Sequence, residues 1–327
     1  MSEKKRYANV GGQAVMEGIM MRSPIGNVLA VRRADGTIQT EPFPVSDFSK
    51  KHRWARVPVI RGVVSFVLSI SVGFRALSAS ADYVVADTEE TKEDAKEASK
   101  KKESENGGLV FGSLLVGILL AFALFIFLPT LLCEGLEKLF SVSFGVWKSV
   151  IIGVIKILIF LGYILAISAM KDIRRLFQYH GAEHKTIFCF EAKKELTVKN
   201  VHGFSRLHPR CGTSFLLITI VVSLVFYSFL SMIPAFRQMQ DALPFVYMLV
   251  KILFLPVLAG LSFEVLKFTG RHDNLFTRIL SAPGKWFQLL TTRDPDDDQI
   301  EVAIAALKAS LINPETGELD EDAAYTS

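Results

Sequence analysis

With 327 residues, half of them hydrophobic, the chain is long enough for two ordinary domains, yet its apolar residues are gathered into a few long runs. Its 37 Lys and Arg and 33 Asp and Glu leave a net charge of only +4, and no specific nucleic-acid motif accompanies them. Three cysteines, an odd and sparse set, argue against a disulfide framework and fit a reducing cytoplasmic side.

In chain order, residues 1–56 read as a cytoplasmic N-terminal segment. Met1–Gly12 is polar and carries Lys4, Lys5 and Arg6, without the apolar stretch of a signal peptide. Two extended runs, Val28–Arg33 and Thr37–Val45, are joined by Asp35-Gly36, which predicts a small β hairpin. Val57–Leu77 is apolar but holds Arg61, Arg75 and many Ser and Gly. Residues 57–80 therefore read as an amphipathic, interfacial or bundle-covering helix rather than a span. A charged linker follows over 81–107, with Thr88–Asn106 too poor in apolar residues to build a core.

Residues 108–266 read as a four-helix membrane domain with spans at about 109–132, 149–170, 213–236 and 243–263. Leu109–Leu132 and Thr213–Phe236 each run 24 residues without a charge. The other two runs are interrupted only by Lys156 and Lys251, which are placed to snorkel towards an interface. Lys and Arg collect before residue 62, across Lys171–Arg210 and from Lys267 to Arg293, whereas the loops near Cys133–Lys148 and Arg237–Ala242 carry few. The positive-inside rule then makes the basic regions and both termini cytoplasmic. The fold class expected is a mainly α, integral, multi-pass protein of the cell membrane. Beyond it, residues 267–327 form a cytoplasmic C-terminal segment. Acidic residues from Asp294 to Asp298 precede a helix at about 299–311, with Ile300, Ile304, Leu307 and Leu311 as its apolar stripe.

The cytoplasmic insert 171–212 holds four of the six histidines and the sequence His180-Gly-Ala-Glu183-His184. Residues i, i+3 and i+4 share one helical face. Two imidazoles there can grip one metal ion, and Glu183 can act as general base, the spacing of an H-x-x-E-H zinc signature. A catalytic zinc takes three protein ligands, and the nearest candidates for the third are His208 and Cys211, with Glu17 and Glu264 as carboxylate alternatives. Against this stands a solvated polar face with no ion. Cys189, between Phe188 and Phe190, reads as a core thiol, His52 and His202 as surface residues, and His272 beside Asp273 as a loop hydrogen bond. Gly11–Arg22 admits two readings: a packed strand or tight turn, or a wall of the same pocket with Gln13 and Glu17 lining it and Arg22 on an anionic group.

Taken together, GGQAVMEGIMMRSP, YHGAEHKTI, HPRCGTSFL and PGKWFQLLTTRDPDDDQIEVAIAAL resemble the YqhQ-like family of bacterial multi-spanning membrane proteins. That family is a domain of unknown function often labelled a predicted metal-dependent enzyme. The resemblance implies a multi-spanning membrane protein with a metal site at His180, Glu183 and His184, and supplies no substrate or reaction.

Two functions compete. One is a metal-dependent membrane hydrolase at the cytoplasmic interface, with a divalent ion, zinc by ligand type, as cofactor. The other is a non-catalytic scaffold or biogenesis factor whose basic surfaces bind a protein complex, a ribosome or anionic lipid. Membrane lipids are partners in both, and both are compatible with a homo-oligomer. A transporter fits worst, since the spans lack an inverted repeat or a run of intramembrane acids.

Overall fold

The computed structural model describes residues 8–45, 48, 52–90, 112, 115–271, 274–313 and 316–325. His272, Asp273 and most of the predicted linker lie outside them. Four short strands, β1 (Gly11–Val15), β2 (Gly18–Arg22), β3 (Asn27–Arg32) and β4 (Ile38–Pro42), form an antiparallel meander in chain order. The predicted hairpin is β3–β4, and Gly36 takes φ +87° in its turn, a conformation glycine adopts without steric cost. Gly11–Arg22 forms a second hairpin, extending the predicted one to four strands. Glu17 stands in its turn at φ 50°, where its carboxylate pairs with Arg175 and accepts a 3.1 Å hydrogen bond from Tyr179 Oη.

Side-chain alternation gives the sheet two apolar faces. Val15, Met20, Leu29 and Val31 pack with Val72 and Ala76, while Ile19, Met21 and Ala30 join a larger core around Tyr179, Ile300 and Leu307.

Among the described residues, five helices are long and apolar enough to cross a membrane, one more than the four predicted. The additional one is α1 (Ile60–Glu90), which continues ten residues past the boundary expected at residue 80. Its first turns lie against the last span, with Gly62 facing Gly260 and Phe263 and with Arg61 paired to Glu264. Its later turns lie on the sheet, where Tyr83 Oη donates to Glu41 at 2.5 Å and Asp87 accepts from Arg33 Nε at 2.6 Å. Length and composition admit α1 as a span, and its contacts are with the last span and with the sheet. Docking on the sheet, a long-range effect, carries the helix through Asp82 and Asp87.

The other four are α2 (Leu115–Leu139), α3 (Lys148–Ile167, entered by a 3-10 turn), α6 (Thr213–Ser231) and α8 (Pro244–Arg271). Their ends shift from the predicted ones for local reasons. A π turn at Ala123–Phe127 precedes Pro129, which lacks an amide hydrogen for the helical ladder. The α2 helix then continues to Glu137, which pairs with Lys148 and accepts from the Phe144 amide at 3.0 Å. The α6 helix stops at Ser231 because Pro234 opens the short α7 (Pro234–Ala242).

Between the two helix pairs lie α4 (Lys171–Glu191) and the one-turn α5 (Val198–His202). After them come α9 (Leu275–Thr291) and α10 (Asp297–Ser310). The α9 helix, which no sequence signal suggested, starts at an Asn274–Thr277 capping box and passes through Pro283-Gly284, normally a breaker. Gly284 survives within it because a Cβ there would stand 2.7 Å from Ser214 Cβ. The predicted C-terminal helix is α10, capped reciprocally by Asp296 and Gln299. It packs on α4, β2 and β3, so each helix pair returns the chain to the same side as the sheet. Leu307 is fully buried in that core. Leu307→Ala is expected to cost about 2–5 kcal/mol, read as a lower denaturation midpoint; an unchanged midpoint would contradict this packing.

Candidate metal centre

Every residue from Tyr179 to Ile187 in α4 is buried, although the segment includes two histidines, a glutamate, a lysine and a threonine. Polar groups so buried must find partners or lose their solvation without return. The helix is enclosed by β1, by α10 and by the segment joining α9 to α10. That segment lies so close that a Cβ on Gly181 would meet the Arg293 carbonyl oxygen at 2.0 Å. Only glycine admits this approach, and it allows the Arg293 amide to donate to Phe177 O at 2.8 Å.

The same approach sets the first imidazole. His180 Nδ1 lies 2.8 Å from Thr291 O, and His184 Nδ1 lies 2.5 Å from Arg206 O. A carbonyl can only accept, so both Nδ1 atoms carry hydrogen and both Nε2 atoms are left to point at the cavity. Second-sphere carbonyls of this kind orient metal-binding imidazoles. Cys211 Sγ stands 3.1 Å from His180 Nε2. The donor atoms of His180, His184 and Cys211 all lie within 4.8 Å of one another. Tetrahedral zinc with ordinary bond lengths sets such atoms about 3.4–3.6 Å apart, so a small adjustment suits them to one ion. The Thr213 amide and hydroxyl also face the sulfur, at 3.4 and 3.1 Å. Burial opposes ionisation of the thiol, but the adjacent His180 and His184 rings hold it well below its ordinary value. Burial likewise works against a charged His180, yet Cys211 and Glu183 push that imidazole up.

Glu183 shares the buried face. Its Oε1 accepts from the Gly12 amide at 2.9 Å, on the edge strand of the sheet. A Cβ on Gly12 would meet Met20 O at 2.9 Å and Glu183 Cδ at 3.0 Å, so this contact also requires glycine. Burial pushes the Glu183 carboxyl up, against the lowering effect of the two histidines.

Of the two predicted candidates for the third ligand, Cys211 joins the group and His208 stands beside it. The His208 ring is 5.5 Å from that of His184, and its Nε2 lies 4.0 Å from Glu191 Oε2. Its backbone is clasped by Gln288, which accepts from the His208 amide at 2.7 Å and donates to its carbonyl at 2.8 Å. Gln288 belongs to α9, so the sequence held no local signal for it.

His180, Glu183, His184, His208 and Cys211 line a cavity of about 610 Å³ together with Gln13 and Arg22. Glu17 and Glu264 do not line it: one pairs with Arg175, the other with Arg61. Cys189 is a core thiol, His202 pairs at the surface with Asp297 at 2.6 Å, and exposed His52 lies against the Phe48 and Trp54 rings.

The sequence profile of the family described as "Protein of unknown function (DUF1385)" matches residues 57–313. Over 317 residues, covering 95% of both chains, the sequence is 35% identical to "Uncharacterized protein YqhQ" of Bacillus subtilis (strain 168). No solved structure matches the chain.

Proposed function

This chain belongs to the DUF1385 family, and from that premise we propose that it is a metal-dependent hydrolase of the cell membrane, working at the cytoplasmic face. One observation carries the proposal: two imidazoles with fixed tautomers and one thiol converge where a buried carboxylate shares their helix face. His180, His184 and Cys211 would hold the ion by Nε2, Nε2 and Sγ, a set that suits zinc and leaves one coordination position open. Zinc bound there would supply Lewis acidity. Gly12 fixes one oxygen of Glu183, and the other is the atom that takes the proton from the attacking water and returns it to the leaving group. The enclosing sheet, α4 and α10 keep bulk water from this carboxylate.

Charge supports the cytoplasmic assignment, since Lys and Arg collect in the insert 171–212, whose helix α4 packs on β1 and α10. Against a scaffold, four of the insert's nine Lys and Arg are taken by partners within the chain, while Lys171, Arg174, Lys193, Lys194 and Lys199 are exposed. Arg175 pairs with Glu17, Lys185 with Asp294, Arg206 with the Thr292 carbonyl and Arg210 with Glu191.

Element analysis of the purified full chain is expected to find about one zinc or other transition-metal ion per chain, lost in the His180→Ala/His184→Ala double variant. Glu183→Gln is expected to keep the metal and fail to restore a deletion strain. Wild-type protein without metal, or a double variant that still complements, would refute the proposal.

A further inference from the structure

The cavity has two unlike walls. His180, Glu183, His184 and Cys211 form one, and Phe66, Phe215, Phe263 and Leu266 form the other. The apolar wall is built where α6 begins at Thr213 and where α8 leaves its apolar run at Glu264 and Lys267. This is the level at which a bilayer gives way to headgroups, since apolar residues of both helices continue below it and charged ones above.

Its rim is informative. Ile70 and Leu216 line the cavity and are nevertheless 55% and 46% exposed. Val67 and Phe74, about one turn away on either side of Ile70 in α1, are exposed as well. A mouth serving a water-soluble substrate would carry polar residues there, because a contiguous exposed apolar patch is a liability in water. Facing a bilayer, the same residues form a lateral opening.

The head of the ligand is read from the sheet. Arg22 and Gln13 lie on the sheet face that carries Met20 towards α1, and Arg22 pairs in register with Gly11, next to the Gly12 that holds Glu183. Arg22 lines the cavity and makes no ion pair among the described residues, whereas Arg175 and Arg210 are taken by Glu17 and Glu191. A guanidinium so placed fits a phosphate or carboxylate. The volume, about 610 Å³, falls in the range that encloses a ligand of several tens of atoms.

We infer that this cavity takes a single-chain amphiphile from the membrane, its anionic head on Arg22 beside the metal centre and its acyl chain along Phe66, Phe215, Phe263 and Leu266. This gives a substrate class to the hydrolytic site proposed above and rests on that reading for its chemistry, though not for its binding.

The test uses the full chain in phosphatidylcholine nanodiscs with radiolabelled hexadecyl phosphate as probe, and element analysis of the same samples. Saturable binding is expected, weakened about tenfold or more by Arg22→Ala and lost in Ile70→Glu. Both side chains are exposed, so neither change threatens the fold. Inorganic phosphate at equal concentration is expected not to compete. Binding unaffected by both substitutions, or displaced as readily by inorganic phosphate, overturns the inference. Metal present without saturable binding overturns it alone. Arg22-dependent binding by a metal-free chain supports it while overturning only the metal reading.

Discussion

Cys211→Ser is expected to lower the affinity for zinc by about two to three orders of magnitude and to leave the fold in place. A four-ligand zinc site contributes about 10–16 kcal/mol, or roughly 3 kcal/mol for each ligand, and each 1.4 kcal/mol is a factor of ten. Serine has the shape of cysteine, so the contacts with Thr213 and His180 persist as hydrogen bonds to oxygen. The hydroxyl does not ionise as the thiol does, and it is a poor zinc ligand. Competition with a chromophoric chelator measures the loss. With cobalt in place of zinc, the near-ultraviolet band of a thiolate ligand disappears in the variant. An affinity equal to wild type would remove Cys211 from the coordination sphere and leave two histidines, too few for a catalytic site.

Gly181→Ala is expected to damage both stability and metal affinity, although glycine inside a helix normally favours replacement by alanine. The added Cβ would stand 2.0 Å from the Arg293 carbonyl oxygen, and backbone cannot yield as a flexible side chain does. Either α4 or the 291–295 segment must move. Forced overpacking costs about 1–3 kcal/mol and sometimes more. The shift also pulls Thr291 O from His180 Nδ1 and loosens Arg206 from Thr292. Losing such an orienting partner lowers metal affinity about 10–100-fold. Gly203→Ala serves as the control, since the nearest atom to its added Cβ is Asn200 O at 3.4 Å. Wild-type unfolding and wild-type metal affinity in Gly181→Ala would show that the 291–295 segment does not hold the site.

Local patterns were the legible ones. The Asp35-Gly36 turn, the apolar runs of the four spans and the acidic start of α10 are set by neighbours in sequence; α10 starts within two residues of the expected position, while the ends of the spans depart by as much as eight. The α9 helix was not legible. Its Pro283-Gly284 pair reads as a break, and only the fit of Gly284 against Ser214 explains why the helix runs through. The length of α1 was hidden for a related reason: Asp82 and Asp87 look like a linker until Arg33 and the sheet stand opposite.

Sequence by itself determined that His180, Glu183 and His184 share a face, because their spacing is a property of one helix and needs no partner. It also determined that the site lies beside membrane helices, through the length of the apolar runs. Which third group completes the donor set was a tertiary matter. His208 and Cys211 are three residues apart, and Gln288 of α9 clasps the His208 backbone while Cys211 is left to face His180. The amide that holds Glu183 comes from Gly12, 171 residues away, on an edge strand whose partner could not be read from either segment. Tautomers and cavity walls both depend on such long-range contacts. They arise from the packing of buried polar groups, each of which must find its partner somewhere in the fold.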